Sequence, residues 1–289
     1  MANYRILYNS LSGNGTGKEQ AEALKGKLDG SLEFTDITGI ADYRSFFEEL
    51  PAGTVPVLCG GDGTLNRFVN DCEAAGAVIP DGILYYAGGT GNDFLRDLGI
   101  APGSDPVPVA KYIQDLPVAD IEGKKYRFFN GVGFGIDGYC CEEGDRQRSI
   151  PGKNINYTSI AIGGLLGKYK PRDVRVTVDG VEHFFRKAWL APVMKGRFYG
   201  GGMMAAPDQD RLDPEGLLTA MIFHGSGKLR TLMIFPGIFK GEHVKHTKNI
   251  TVLRGRDITV EYFEPTPLQV DGETVSGVKV CRCTAAKKD

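Results

Sequence analysis

Three times between residues 4 and 98, a short apolar run breaks into a cluster of glycines and then into helix-like sequence. Residues 4–9 lead into Ser12-Gly13-Asn14-Gly15-Thr16-Gly17 and a helix-like stretch to about Leu28. Residues 55–58 lead into Gly60-Gly61-Asp62-Gly63-Thr64. Beyond that turn Leu65, Phe68, Val69 and Cys72 fall at i, i+3, i+4 and i+7, the spacing of one buried helix face. Residues 83–86 lead into Gly88-Gly89-Thr90-Gly91 and a helical segment over 92–98. Strand, glycine turn and helix in repetition predict an N-terminal α/β domain, Rossmann-like, on a parallel sheet. Ligands of such sheets sit at the carboxyl ends of the strands, where these turns lie. Glycine, at 40 of 289 residues, is in clear excess, and a residue without Cβ lets backbone approach a ligand closely.

After about Pro117 the period changes from helical to alternating. Val174, Val176 and Val178 alternate with polar residues and run into Asp179-Gly180, the signature of a hairpin on a type I′ turn. Further strands are expected over 188–193, 217–223, 250–253, 258–262 and 268–270, with helical interruptions near 155–166 and 228–239. The chain thus divides into an α/β domain over 1–117 and a mainly β domain over 118–289, read as a C-terminal β-sandwich. A net charge of -2 argues against a nucleic-acid partner. The six cysteines form no C-x-x-C pair, so reduced thiols are expected. With a strand beginning by residue 4 and no apolar run near the ~18 residues of a membrane span, a cytoplasmic protein is expected, meeting a membrane only peripherally.

The chemistry concentrates in Gly60-Gly61-Asp62-Gly63-Thr64-Leu65-Asn66. Glycines after a strand let backbone N–H groups approach phosphate oxygens, and a helix starting near Thr64 points its positive end at them. Asp62 in their midst supplies a carboxylate for magnesium, or a base close to a transferred phosphate. The bland alternative is an ordinary strand–helix turn with a capping aspartate. Two nucleotide motifs are absent: Lys18 stands where G-x-G-x-x-G needs its third glycine, and Gly17-Lys18 is followed by Glu19 where a P-loop needs Ser or Thr.

This heptapeptide resembles the nucleotide loop of diacylglycerol, sphingosine and ceramide kinases. Asn9-Ser10-Leu11-Ser12-Gly13 resembles the opening turn of the bacterial lipid kinases in that family, with Ser10 in place of a proline. Gly89-Thr90-Gly91-Asn92-Asp93-Phe94-Leu95-Arg96, the segment from Gly241 to His246 and Val270-Asp271-Gly272-Glu273 resemble further elements of it, in order, over nearly the full chain. The resemblance implies an ATP:lipid phosphotransferase. The triphosphate would be held by Asn9, Ser12, Gly13, Gly60, Gly61, Asp62, Gly63, Thr64, Leu65, Asn66 and Thr90, with Thr38 from an earlier loop. Asp62, Asp93 and Asp120 would organise a catalytic Mg²⁺, partly through water, which suits an ion that keeps its hydration. Glu273 would accept the proton of the lipid hydroxyl, with Asp62 the competing base. Leu212, Glu215 and Leu217 resemble a structural magnesium loop of two carbonyls and a carboxylate, although aspartate is usual where Glu215 stands.

Bland readings stand beside these. Asp93 also suits a helix cap, and Glu273 also suits a solvated residue just past a hairpin turn. The apolar, glycine-rich residues 128–135 suit either a lipid pocket or a packed strand and turn. Apolar stretches near 160–166 and 232–239, flanked by lysines and arginines, suit either an anionic membrane surface or core helices with solvated ends. ATP, a lipid substrate and a peripheral membrane surface are the partners the resemblance implies, and it leaves a homodimer open. Two rival readings remain: a kinase with a soluble acceptor, since NAD kinases share the GGDGT loop, and a catalytically silent lipid-binding protein of the same fold.

Overall fold

The computed structural model describes residues 2–88, 92–148, 150 and 157–286. The chain forms two compact units, Met1–Leu116 and Pro117–Asp289.

In the first unit, β1 (Ala2–Tyr8), β2 (Gly30–Asp36), β3 (Thr54–Cys59), β4 (Leu84–Tyr86) and β5 (Val107–Pro108) form one sheet in the order β2-β1-β3-β4-β5. The first four are mutually parallel, and β5 closes the edge antiparallel to β4. Ile6, Leu7, Val57 and Leu58 are buried consecutively, because helices cover both faces of the central strands. Helices α1 (Gly17–Glu22), α2 (Tyr43–Glu48), α3 (Asp62–Ala74), α4 (Asp93–Asp97) and α5 (Ala110–Ile113) make the connections. The apolar face read from the sequence is the one α3 buries, with Leu65, Phe68, Val69 and Cys72 all inside. Tyr43 of α2 meets Phe68 edge-on at 5.3 Å, locking those two helices together. β2, between the first strand and residues 55–58, is an addition to the sequence reading; its alternate exposure gives no continuous apolar run.

The second unit contains β6 (Val118–Ile121), β7 (Lys124–Arg127), β8 (Gly131–Phe134), β9 (Arg172–Val178), β10 (Val181–Ala188), β11 (Val193–Met194), β12 (Leu218–Phe223), β13 (Ile250–Gly255), β14 (Asp257–Val270) and β15 (Glu273–Thr284). All of their pairings are antiparallel. β14 organises the fold: its first half pairs with β9 and its last three residues with β8. The register shifts between Glu261 and Leu268, where Pro265 and Pro267 cannot donate to a ladder. That break bends the sheet into a sandwich-like layer pair around Val132, Val176, Ile222, Val260 and Leu268. Helices α6 (Ile136–Arg148), α7 (Tyr157–Gly163) and α8 (Lys228–Ile234) pack against a second cluster built on Trp189, Tyr199 and Met221.

The hairpin at Asp179-Gly180 forms with both residues at positive φ, as a type I′ turn requires. Residues 188–193, however, are not one strand. Ala188 ends β10, Pro192 lacks an N–H, and Trp189 and Ala191 donate instead to Phe223 and Phe134. The segments 258–262 and 268–270 are one interrupted strand. The helical interruptions form near the expected places but change type, α7 passing into a π-helical turn at Gly164–Lys168 and α8 into a 3-10 helix at Phe235–Lys240; residues 155 and 156 lie outside the described residues.

Candidate functional site

Because β1 to β4 run parallel, their carboxyl ends lie side by side, with Tyr8 level with Asp36 and Cys59, and Cys59 with Tyr86. Every glycine turn singled out from the sequence follows one of these ends. Asn9 closes the first turn on itself: its carbonyl accepts the Ser12 N–H at 3.1 Å and the Ser12 hydroxyl at 2.8 Å. Gly13 follows at φ +57, and Gly17 opens α1 where a Cβ would sit 1.9 Å from the Asn9 carbonyl oxygen. Asp36 accepts the N–H groups of both Ser10 and Thr38, so the turns after β1 and β2 share one carboxylate. Burial opposes its charge, yet the hydrogen bonds to Ser10 and Thr38 prevail and hold its pKa below the usual value.

The turn after β3 is tighter than the sequence suggested, since α3 starts at Asp62 and not near Thr64. Gly60 lies under the first turn of that helix, and a Cβ there would meet the Thr64 side chain at 2.5 Å. Asp62 reaches across to the next helix: its carboxylate accepts the Asp93 N–H at 2.7 Å and the Phe94 N–H at 3.4 Å. Asn92 caps the same helix through the Leu95 N–H at 2.7 Å. Its amide also donates to the Tyr85 hydroxyl at 2.6 Å, which donates to the Gly60 carbonyl at 2.9 Å. A buried chain of polar groups thus joins the ends of β3 and β4. Asp93 itself is buried. Gly63 is exposed, while Thr64, Leu65 and Asn66 are buried, so Leu65 and Asn66 contribute by fixing α3 from inside. Thr90, with its neighbours Gly89 and Gly91, lies outside the described residues.

Glu273 and Asp120 belong to the second unit. Asp271 and Gly272, both at positive φ, turn the chain between β14 and β15, and Glu273 is the exposed first residue of β15. Asp271 faces inward: its carboxylate accepts the N–H groups of Phe129, Asn130 and Gly131, each at 2.9 Å. Arg211, also buried, donates to the Phe129 carbonyl and to the Asn130 side chain. Residues 128–135 are therefore a clamped, packed turn and strand, with Phe128 and Phe129 wholly buried. The segment from Gly241 to His246 is also architectural, since Gly241 caps a helix at φ +69 and buried His243 bonds the Ala205 carbonyl. Asp120 sits in β6 and accepts the Gly123 N–H at 2.8 Å. Among the described residues no three His, Cys, Asp or Glu side chains converge as a metal cluster. Asp93 is held beside Asp62 by its own N–H, and two acids so placed would suit a hydrated Mg²⁺ held through water.

The loop over Leu212, Glu215 and Leu217 is tied down by protein groups. The Leu217 carbonyl already accepts Gln209 Nε2 at 2.9 Å, and the Glu215 carbonyl accepts Arg256. The loop's inward carboxylate is Asp213, which takes the N–H groups of Glu215 and Leu217 and pairs with Arg254 at 2.8 Å. Two guanidinium groups, of Arg254 and Arg256, thus bond to this loop.

One group escaped the sequence reading. Asp137, in the first turn of α6, is buried, and among the described residues neither its Oδ2 nor the nearby Tyr199 and Tyr169 hydroxyls have a hydrogen-bond partner. Burial pushes its pKa up to about 6, against weaker opposing contacts from Tyr199 and the Gly138 N–H. Gly133 makes room for it, because a Cβ there would lie 1.9 Å from Oδ2. The only sequence signal was an acid inside an apolar, glycine-rich run.

The fold joins a parallel α/β unit to an antiparallel, sandwich-like β unit, and comparison with known proteins gives the family. Residues 3–121 match the diacylglycerol kinase catalytic domain, and residues 130–284 match the YegS C-terminal NAD kinase beta sandwich-like domain. The chain belongs to the diacylglycerol kinase-like lipid kinase family. It is 30% identical over 268 residues to a diacylglycerol kinase of Mycobacterium tuberculosis, covering 88% of this chain and 84% of the relative. It is 25% identical to a diacylglycerol kinase of Bacillus subtilis, over 94% of this chain and 90% of that one. The fold is also that of a crystal structure of a diacylglycerol kinase from Bacillus anthracis, with a TM-score of 0.60 at 20% identity over 99% of this chain and 94% of that one.

Proposed function

We propose that this protein is an ATP-dependent kinase that phosphorylates the hydroxyl of a diacylglycerol-like lipid, working from the cytoplasmic side as a peripheral protein. One observation carries the reading: the Asp62 carboxylate binds the amides of Asp93 and Phe94, so the glycine turn after β3 and the start of α4 form one unit at the sheet's carboxyl edge. Backbone at half-buried Gly61 and exposed Gly63, together with Asn9, Ser12, Gly13, Thr38 and Thr90, would hold the triphosphate there. Asp62 and Asp93 would hold Mg²⁺ through water, with Asp120 supplementing them; the ion would neutralise charge on the transferred phosphoryl group.

Glu273 would orient the acceptor hydroxyl and take its proton. A loose phosphoryl-transfer transition state leaves that proton in place until late, so an ordinary carboxylate suffices. Exposure at the start of β15 keeps Glu273 available, while Asp271 and its three amide bonds hold the turn that presents it. The test is transfer of labelled phosphate from Mg·ATP to a panel of lipids in micelles, with NAD and fructose phosphate as controls. Label in an acyl glycerol supports the reading, and label only in a soluble acceptor rejects it.

A further inference from the structure

Two neighbouring helical segments of the second unit are apolar on both faces. α7 and its π-helical continuation bury Ile160, Ala161 and Leu165 in the Trp189 cluster, and α8 with its 3-10 continuation buries Ile234, Phe235 and Ile238 in the same cluster. Their outer faces are nevertheless apolar. Ile162 and Leu166, four residues apart, are 43% and 58% exposed; Leu229 and Met233, also four apart, are 74% and 65% exposed. Residues at i and i+4 share one helix face, so each segment presents a matched pair to solvent. Lys228 Nζ donates to the Leu166 carbonyl at 3.0 Å, fastening the two segments side by side. Phe239 extends the patch at 42% exposure.

Charge is distributed just as unevenly. Residues 157–172 and 224–250 carry eight lysines and arginines and a single acid, Glu242, in a chain whose totals are 34 basic and 36 acidic. Lys170 and Lys240 stand exposed at the margins of the apolar pairs. Scattered single apolar residues on a surface need no explanation, but paired, adjacent ones rimmed by one sign of charge do. Apolar side chains that enter an acyl boundary while lysines meet headgroups form the pattern of an interfacial helix.

We infer that the outer face of α7 and α8 is the docking surface of this protein for an anionic lipid leaflet. The inference rests on a membrane-lipid acceptor and names the surface that delivers the enzyme to it. The experiment is co-sedimentation of the full chain with phosphatidylcholine vesicles, with or without roughly one-third phosphatidylglycerol. The protein should bind the anionic vesicles, and bind them less as salt rises. The double variant Leu229→Ser with Met233→Ser should bind about tenfold less or weaker still, and Lys240→Glu should weaken binding most at low salt. Leu166→Ser, on the other segment, provides an independent check, and unchanged thermal unfolding establishes that each variant is folded. Equal binding to neutral vesicles, undiminished binding by both serine variants, or self-association through this face without vesicle binding would overturn the inference. A water-soluble short-chain acyl glycerol separates the two proposals: surface variants should phosphorylate it normally, whereas failure of the wild-type chain to do so would count against the kinase reading alone.

Discussion

Asp62 accepts the backbone N–H of Asp93 at 2.7 Å, and through that bond the glycine turn after one strand holds the helix that follows the next. The residue is thus architectural and, on the kinase reading, chemical, and the two roles can be separated by substitution. Asp62→Asn keeps an acceptor oxygen for the amide but loses the charge. It should lower turnover by about a thousandfold or more, because the affected charge develops in the transition state. The melting temperature should fall by only about 2–4 °C, since the Asp93 bond becomes neutral and the longer bond from Phe94, made to the other oxygen, is lost. A large loss of stability with unimpaired turnover per folded molecule would assign Asp62 to architecture only.

Asp271 should be the opposite case. Removing its carboxylate strands three buried amides, those of Phe129, Asn130 and Gly131. At about 1–3 kcal/mol for each unsatisfied donor, with partial relaxation, Asp271→Ala should cost about 3–5 kcal/mol. For a unit of this size that is a fall of about 10 °C, readable by calorimetry. A melting temperature like that of the wild type would mean that water replaces the carboxylate at no cost.

Asp137 predicts a pH dependence. Its folded pKa of about 6 lies above the ordinary 3.8, so the fold retains the proton more tightly than the unfolded chain does. Stability therefore falls as pH rises from 3.8 toward 6, and the penalty is complete above that window. The shift of about 2 units corresponds to a penalty of about 3 kcal/mol at neutral pH. Asp137→Asn removes the charge, so its melting temperature relative to wild type should be higher at roughly pH 8 than at roughly pH 4. Parallel curves for the two proteins would show that the carboxyl is not held neutral by burial.

The Asp213 loop should need no metal. With nucleotide absent, a chelator should leave the melting temperature unchanged, while Arg254→Ala lowers it by about 2–4 °C, in keeping with a half-exposed ion pair worth about 1 kcal/mol. A chelator-induced drop that disappears in Glu215→Ala would restore a cation to this loop.

Much of the first unit was legible because its signals are local. Period, glycine and strand length fixed β1, β3, β4 and the buried face of α3, and the type I′ hairpin at Asp179 could be read from two residues. Where contacts are distant in sequence, legibility failed. The break in β14 depends on which strand each half meets, and α6 begins inside a glycine-rich run that by itself reads as strand and turn. The candidate site divides in the same way. Gly60 to Asn66 announced themselves by spacing, whereas Asp271 bonds to amides some 140 positions earlier in the chain, a partnership that no local pattern encodes. The bonds that hold the Asp213 loop were hidden for a related reason, since Arg254 of β13 and Arg256 just beyond it lie outside the motif.

One assay bears most directly on the kinase reading: phosphate transfer from labelled Mg·ATP to diacylglycerol in mixed micelles, by wild type and Glu273→Ala in parallel. The wild type should label the lipid, and Glu273→Ala, folded as well as the wild type, should do so about a hundredfold to ten-thousandfold more slowly. A Glu273→Ala protein with near-normal activity would contradict the assignment of the proton acceptor, and a wild type that labels no lipid would contradict the proposed function itself.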